Sequence, residues 1–263
     1  MPYRFAHWYV LLLIPASMLG FSGYLGALTE EPPAKHLHAL AATLWILLVA
    51  AQSASIQRGM RQLHRRVGFA SVLLFPVYLC GFFLVFQSES QRIVDGDPFA
   101  TVFGPGIGAI TLISVVATAY MYYAALRDRR HVQMHARWML VTLFLFSESV
   151  LGRILNGVPG LLVRSIEDVR SIYSAFHLAQ LIAIVLALVL FAKQPKYGKP
   201  YLFVIGAMLA QSIALELFDD VQIWRGLFID AASWPTTNLA AMGLVIGAIA
   251  ALVGWKRGSS RIP

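Results

Sequence analysis

Long apolar runs, separated by short polar connections, dominate the hydropathy pattern of this chain. Runs close to the roughly 20 residues that a helix needs to cross a bilayer recur eight times. Their approximate bounds are 7-28, 36-57, 64-86, 102-126, 134-156, 171-192, 200-218 and 236-255. A barrel strand needs only about ten residues, so the pattern predicts an all-α polytopic membrane helical bundle with eight transmembrane helices. The connections are too short for another domain, so we expect residues 1-263 to form a single membrane domain.

The composition supports a bilayer location. Hydrophobic residues make up 58% of the chain and charged residues 13%, which leaves too little polar surface to cover a water-soluble globule of 263 residues. Nothing at the amino terminus has the pattern of a cleavable signal, so the first run is expected to stay as a helix. Cys80 is the only cysteine, which excludes an intramolecular disulfide and a thiolate metal cluster.

The net charge of +8 is distributed unevenly between the two sides of the predicted bundle. If eight helices alternate in direction, 15 of the 21 basic residues fall on the side of the termini, where Asp128 is the only acidic residue. The positive-inside rule then predicts that both termini are cytoplasmic. The same arginines suit anionic lipid head groups, and the pattern does not favour nucleic acid as a partner.

Histidines occur at two depths, and this is the most informative polar feature. The phrase Gln-Leu-His-Arg-Arg at 62-66 recurs as Gln-Met-His-Ala-Arg at 133-137, either by chance or because two helix hairpins are related. It places His64 and His135 at similar depth on the cytoplasmic side, with His64 at the very edge of the bilayer. On the external side, His38 opens the second helix and His177 lies inside an apolar part of the sixth.

A haem b needs two imidazoles that face each other across the iron, each oriented by a hydrogen bond on its other nitrogen. We therefore interpret His64 with His135, and His38 with His177, as two candidate ligand pairs at two depths. Two haems in these positions would form an electron path across the membrane. The simpler interpretation of His64 and His135 is that they are polar groups at the membrane interface.

The fifth predicted helix carries charged residues inside the bilayer, where such groups are usually functional. Glu148 lies near its centre, and Arg153 follows five residues later. Together with Gln180, Gln211 and Glu216 they suggest one outward-opening polar cavity, in which Glu148 and Arg153 serve catalysis and Gln180 helps to hold a cofactor or substrate. The alternative is a buried structural network that fixes the register of the helices.

Short motifs resemble an uncharacterised bacterial family of polytopic membrane proteins. They are His64-Arg65-x-x-Gly68, His135-x-x-Trp138-Met139, and Arg153 near the end of the same helix, and the resemblance covers roughly residues 36-192. It implies no established activity, but it suggests an integral protein of the bacterial inner membrane. More distantly, the two histidine depths are similar to transmembrane b-type cytochromes, in which four helices hold two haems. That similarity implies a quinol or another small electron donor.

A zinc-dependent intramembrane hydrolase is the main alternative. His131 and His135 have i, i+4 spacing, and His64 would complete three zinc ligands. This set lacks a general base, because Val132 occupies the place where zinc peptidases carry Glu. An external set has carboxylates near it and is the better hydrolase candidate. Its histidines are His36, His38 and His177.

A transporter or a membrane scaffold is a third possibility. Transport favours helices that are broken at mid-membrane, and only the glycine-rich segment 104-108 and Pro76 suggest such breaks. Weighing the three classes, the sequence favours a haem b-binding membrane oxidoreductase or transmembrane electron carrier.

Overall fold

The computed structural model describes residues 3-260, and helices make up almost all of this part of the chain. Twelve α-helices follow one another within it. They are α1 (Ala6–Leu11), α2 (Leu13–Gly20), α3 (Ser22–Gly26), α4 (Pro33–Gln57), α5 (Arg61–Val94), α6 (Pro98–Arg127), α7 (Val132–Val141), α8 (Phe144–Leu155), α9 (Val169–Lys193), α10 (Lys199–Phe218), α11 (Gln222–Asp230) and α12 (Thr236–Ser260).

Seven helical segments in the described residues are long and apolar enough to cross a membrane. They correspond to the second to eighth predicted runs, with α7 and α8 together forming one segment, so the all-helical fold is confirmed, with seven segments that could span a membrane. The first predicted helix, 7-28, instead consists of α1, α2 and α3. Pro15 explains the first interruption, because proline lacks an N–H and crowds the carbonyl of the residue four positions earlier, which is Leu11.

The fifth predicted helix is also interrupted. It ends as α7 and resumes as α8, with Thr142 and Leu143 between them. The hydroxyl of Thr142 donates to the carbonyl of Met139 at 2.7 Å and accepts a hydrogen bond from the Trp45 indole at 3.1 Å. A side chain that bonds to a carbonyl of the preceding turn competes with the helical pattern, which accounts for the break.

The two chain ends lie at the same end of the bundle. The backbone oxygen of Tyr3 accepts a hydrogen bond from Gln57 at the end of α4, and its hydroxyl accepts one from Tyr201 at the start of α10. At the other terminus, Arg257 donates to Tyr123 near the end of α6. We call this end, with connections 58-60, 128-131 and 194-198, the terminal face. The opposite end, with connections 27-32, 95-97, 156-168 and 219-221, is the loop face.

The loop face is closed by α11, which packs on α5 and α6. Its Phe228 is fully buried, and a Cβ at Gly108 would lie 2.5 Å from the phenyl ring. Pro105 lacks an N–H, so the carbonyl of Thr101 has no helical donor, and Arg225 of α11 donates to that carbonyl at 2.9 Å. The connection that precedes α12 is therefore an ordered cap over the loop-face ends of α5 and α6.

Candidate functional site

The structure brings His64 and His135 together. His64 lies in the first turn of α5 and His135 in the first turn of α7. Their ring centroids are 6.4 Å apart, and the ring planes are nearly perpendicular, at 85°. Two histidines that are 71 positions apart in the sequence thus form one site near the terminal face, as the repeated phrase suggested.

Both imidazoles are oriented by backbone carbonyls. His64 Nδ1 is 3.2 Å from the carbonyl oxygen of Gln52, and His135 Nδ1 is 2.8 Å from that of Ala125. A carbonyl can only accept, so each Nδ1 carries a proton, and in the neutral form of such a ring the lone pair is on Nε2. Within the described residues, neither Nε2 has a hydrogen-bond partner. In the neutral form, the two rings would have the tautomer that metal-ligating histidines use.

Gln52 fixes the depth of this pair. Its backbone oxygen bonds to the imidazole, and its side-chain amide donates to the backbone oxygen of His64 at 2.9 Å. Gln52 therefore links α4 to α5. A Cβ at Gly68 would lie 3.2 Å from the amide nitrogen, so this glycine makes room for Gln52. His64 thus contacts Gln52, which lies five residues before the end of α4.

The spacing of the pair suits one shared metal. A metal–nitrogen bond of about 2 Å on each side places two imidazole centroids roughly 6 Å apart when both rings bind the same ion. The observed separation is 6.4 Å. A haem supplies four nitrogen ligands itself and needs only two from the protein. The separation is also ordinary for an edge-to-face ring contact, and the imidazoles of His64 and His135 could supply these two ligands.

The two predicted zinc sets are not assembled. Among the described residues, no group of three or more His, Cys, Asp or Glu side chains could hold a metal ion. His131 accepts a hydrogen bond from the N–H of Met134, and its ring packs against Tyr197. In the external set, His36 bonds to the Tyr24 hydroxyl at 2.6 Å. Each predicted set loses a ligand because its histidine is engaged elsewhere.

The predicted outer pair, His38 with His177, is not brought together either. The ring of His38 contacts Tyr78 and Phe82 of α5, whereas His177 Nε2 lies 2.6 Å from Glu216 of α10. Helix α4 packs against α1 and α5, and α9 against α8 and α10. His38 and His177 were predicted to lie at a common depth, but depth does not determine which helices are neighbours.

Glu148 forms the centre of a buried polar network. It is 4% exposed, and its two carboxylate oxygens accept hydrogen bonds from the amides of Gln180 at 3.0 Å and Gln211 at 3.1 Å. The amide of Gln211 also donates to Ser114 at 2.9 Å, and Ser212 donates to Gln180. Gln180 and Gln211 were expected beside Glu148, whereas the two serines were not singled out. Glu148, Gln180 and Gln211 are all buried.

Arg153 does not join this network. It donates to the carbonyl of Ser149 on its own helix at 3.0 Å, and its guanidinium lies 4.4 Å from the centroid of the Phe21 ring. Glu148 and Arg153, each predicted as a catalytic residue, therefore contact different helices. Two buried atoms near the loop face have no hydrogen-bond partner in the described residues, His38 Nδ1 and Asn156 Oδ1.

A further set of polar contacts joins α9 to α10 near the loop face. The Tyr173 hydroxyl donates to Asp219, which also accepts the backbone N–H of Gly106 at 2.6 Å. Burial raises the pKa of Asp219 above its ordinary value, although these two hydrogen bonds act in the opposite direction. The spacing of 173, 177 and 180 on α9, and of 212, 216 and 219 on α10, was the sequence signal for these contacts.

Comparison with known proteins finds no relative: no protein-family model, curated protein or solved structure matches the chain.

Proposed function

We propose that this protein is a haem b-binding membrane redox protein, an electron carrier or oxidoreductase, with one haem held by His64 and His135. The observation that supports the proposal is the adjacent pair itself, with ring centroids 6.4 Å apart and both Nδ1 atoms hydrogen-bonded to carbonyls. Neither Nε2 atom has a hydrogen-bond partner among the described residues, so both could bind a ligand. A haem iron would satisfy both.

Residues of this protein would bind the haem and set the basicity of its two imidazole ligands. The carbonyls of Gln52 and Ala125 hold the rings in their ligating tautomer and make each imidazole more basic. Helices α5 and α7 fix the separation. Bound there, the haem would supply one-electron chemistry between ferric and ferrous iron. The proposal needs one haem, because His38 and His177 engage different partners.

We also propose eight crossings, with both termini in the cytoplasm of a bacterium and the protein in its inner membrane. The segment α1–α3 runs antiparallel to α4 over nearly its whole length, from the Tyr3–Gln57 contact to the Tyr24–His36 contact. From His36 to Gln57, α4 rises through 21 residue steps, or about 31 Å, which is close to the thickness of the hydrocarbon core. The concentration of basic residues at the terminal face supports a cytoplasmic location for it.

A small lipid-soluble electron donor such as a quinol is the partner that we propose for a helical bundle whose described connections are short. Arg153 is a candidate to bind its oxygen atoms, because only one guanidinium N–H bond, to Ser149, is made to the described residues. His38 and Asn156 provide further polar atoms without partners near the same face. Aromatic rings of Phe21 and Phe82 adjoin these groups and suit a flat ring.

The proposal is tested by a reduced-minus-oxidised absorption spectrum of protein purified in detergent from cells supplied with a haem precursor. We expect a Soret and an alpha band, and loss of most of the bound haem in His64→Ala and in His135→Ala. Each substitution removes one of two iron ligands.

His38→Ala is the matched control, since it removes another buried histidine of the same bundle. It should keep the haem content of the wild-type protein if the inner pair alone binds. Wild-type protein without haem bands, or His64→Ala and His135→Ala proteins with full haem content, would contradict the proposal.

A further inference from the structure

Helices α9 and α10 are joined by a ladder of polar side chains that begins at the loop face. Its three rungs are Tyr173 with Asp219, His177 with Glu216, and Gln180 with Ser212. Successive rungs are three or four residues apart on both helices, so they follow one another at about one helical turn. The ladder therefore reaches about 10 Å into the bundle from its first rung.

The innermost rung leads to a buried acid. The amide of Gln180 donates to Glu148 at 3.0 Å, and Gln211 holds the other carboxylate oxygen. Toward the terminal face, the next buried positions of the two helices are apolar: Ala183 and Ala187 on α9, and Val204 and Met208 on α10. The polar path thus connects Glu148 with the loop face, and it does not continue along α9 and α10 toward the terminal face.

The middle rung lies at the surface of the helix bundle. The side chains of His177 and Glu216 are 35% and 57% exposed, respectively, whereas Glu148 is buried. The next rung, Gln180 with Ser212, lies about one helical turn further in, and its Gln180 amide contacts Glu148. An imidazole can accept a proton on one nitrogen and release one from the other, which makes His177 suited to pass protons inward.

We propose that this ladder is a proton path that connects Glu148 with the aqueous phase at the loop face. A proton from water enters at Asp219 or at the His177–Glu216 pair and ends on the carboxylate of Glu148, which becomes a carboxylic acid. No electron moves in this step, and the path requires no haem, so the inference extends beyond the proposed function and does not depend on it.

The charged groups around the path are few. Asp220 and Arg225 lie close enough to Asp219 to act on it electrostatically, as Arg153 does on Glu148. The helix faces that pack on Glu148 from α9 and α10 contribute amides and hydroxyls, and within the described residues no salt bridge neutralises its charge. Glu148 can therefore gain or lose a proton without breaking an ion pair.

The test is infrared spectroscopy of the reconstituted full-length protein in oriented vesicles. The carbonyl stretch of protonated Glu148 is identified by its loss in Glu148→Gln. We expect the band to respond to a pH change at the loop face, and its exchange in D₂O to slow at least about tenfold in His177→Leu. Thr111→Val removes a hydroxyl that bonds only within α6, and this control should exchange at the wild-type rate.

Several results would overturn the inference. One is an exchange rate that stays the same in His177→Leu. Another is a carbonyl band that responds to the pH at the terminal face. The third is that Glu148→Gln removes no band. Should His177→Leu fail to fold, Glu216→Gln keeps a similar shape and removes the same charged rung, with the same expected slowing. A purely structural ladder would change stability in these variants but not the rate of exchange.

Discussion

At the scale of single residues, hydrogen bonds to backbone carbonyls decide which histidines can act as ligands. His64 and His135 use Nδ1 for such a bond and keep Nε2 available, whereas His131 accepts at Nδ1 and His177 uses Nε2 for Glu216. The sequence places all of these residues near a membrane interface, but it does not reveal which ring atom is engaged. For that reason His64 and His135 could be predicted as a pair, and the outer pair could not be judged.

The stability that Asp97 contributes should depend on pH. Its carboxylate caps α6 by accepting the N–H of Ala100 at 2.9 Å and pairs with Arg92 at 2.7 Å. Burial acts to raise the pKa of Asp97, but these bonds outweigh it and hold the pKa below its ordinary value. A lowered folded-state pKa gives stability that is present above the unfolded-state pKa and is lost as pH falls through the folded-state value.

We therefore expect Asp97→Asn, which keeps the cap but not the charge, to cost up to about 1 kcal/mol near pH 7. The difference from wild type should shrink as the pH is lowered below about 4, because protonation then removes the same charge from the wild-type protein. Thermal unfolding in detergent over a pH series measures this. Asp95→Asn, whose carboxylate bonds to Gln91, is the control, and an undiminished Asp97→Asn difference at low pH would contradict the assignment.

At the scale of elements, helix positions follow from hydropathy, and helix interruptions follow from local chemistry that hydropathy does not contain. The long runs of α4, α5, α6, α9, α10 and α12 were predicted because a bilayer demands continuous apolar length. The break between α7 and α8 depends on Thr142 meeting Trp45 of a distant helix, which the local sequence cannot reveal. Pro15, in contrast, was visible in the sequence as a reason for α1 to end.

Close packing of α12 on α5 gives an element-scale prediction. A Cβ at Gly247 would lie 2.5 Å from the Cα of Pro76, which is backbone and cannot move aside cheaply. Gly247→Ala should therefore force the two helices apart and destabilise the protein by about 1–3 kcal/mol. Gly206→Ala on α10 meets nothing within 4 Å and should be neutral or slightly stabilising, since alanine favours a helix. Equal thermal unfolding of the two variants would be inconsistent with this packing.

At the scale of the whole molecule, charge asymmetry predicts how the bundle lies in the membrane. Cys80 is the only cysteine and is buried, so a Cys80→Ala background permits single-cysteine reporters. An impermeant maleimide added to intact cells should label Glu30→Cys and Asp95→Cys but not Arg4→Cys or Arg58→Cys, because the terminal face is expected in the cytoplasm. Labelling of Arg4→Cys together with Glu30→Cys would show that the first segment does not cross.

The sequence alone predicted the membrane bundle and a histidine pair near one face, because both depend on composition and depth. It could not predict how each helix is rotated about its own axis. This rotation decides that His177 contacts Glu216 and that Glu148 and Arg153 contact different helices. The rotation depends on packing between helices, such as α4 with α5 and α9 with α10. The proposed function therefore has one haem position, near the terminal face, and not two haems at two depths.

The most direct test of that position is the electron paramagnetic resonance spectrum of the oxidised, purified protein. Two imidazole ligands whose planes cross at 85° predict one low-spin ferric haem per chain with the strongly anisotropic signal of perpendicular ligand planes. The signal should disappear from His135→Ala and persist in His38→Ala. A high-spin haem, a low-spin signal unaffected by His135→Ala, or protein without any haem iron would contradict the account.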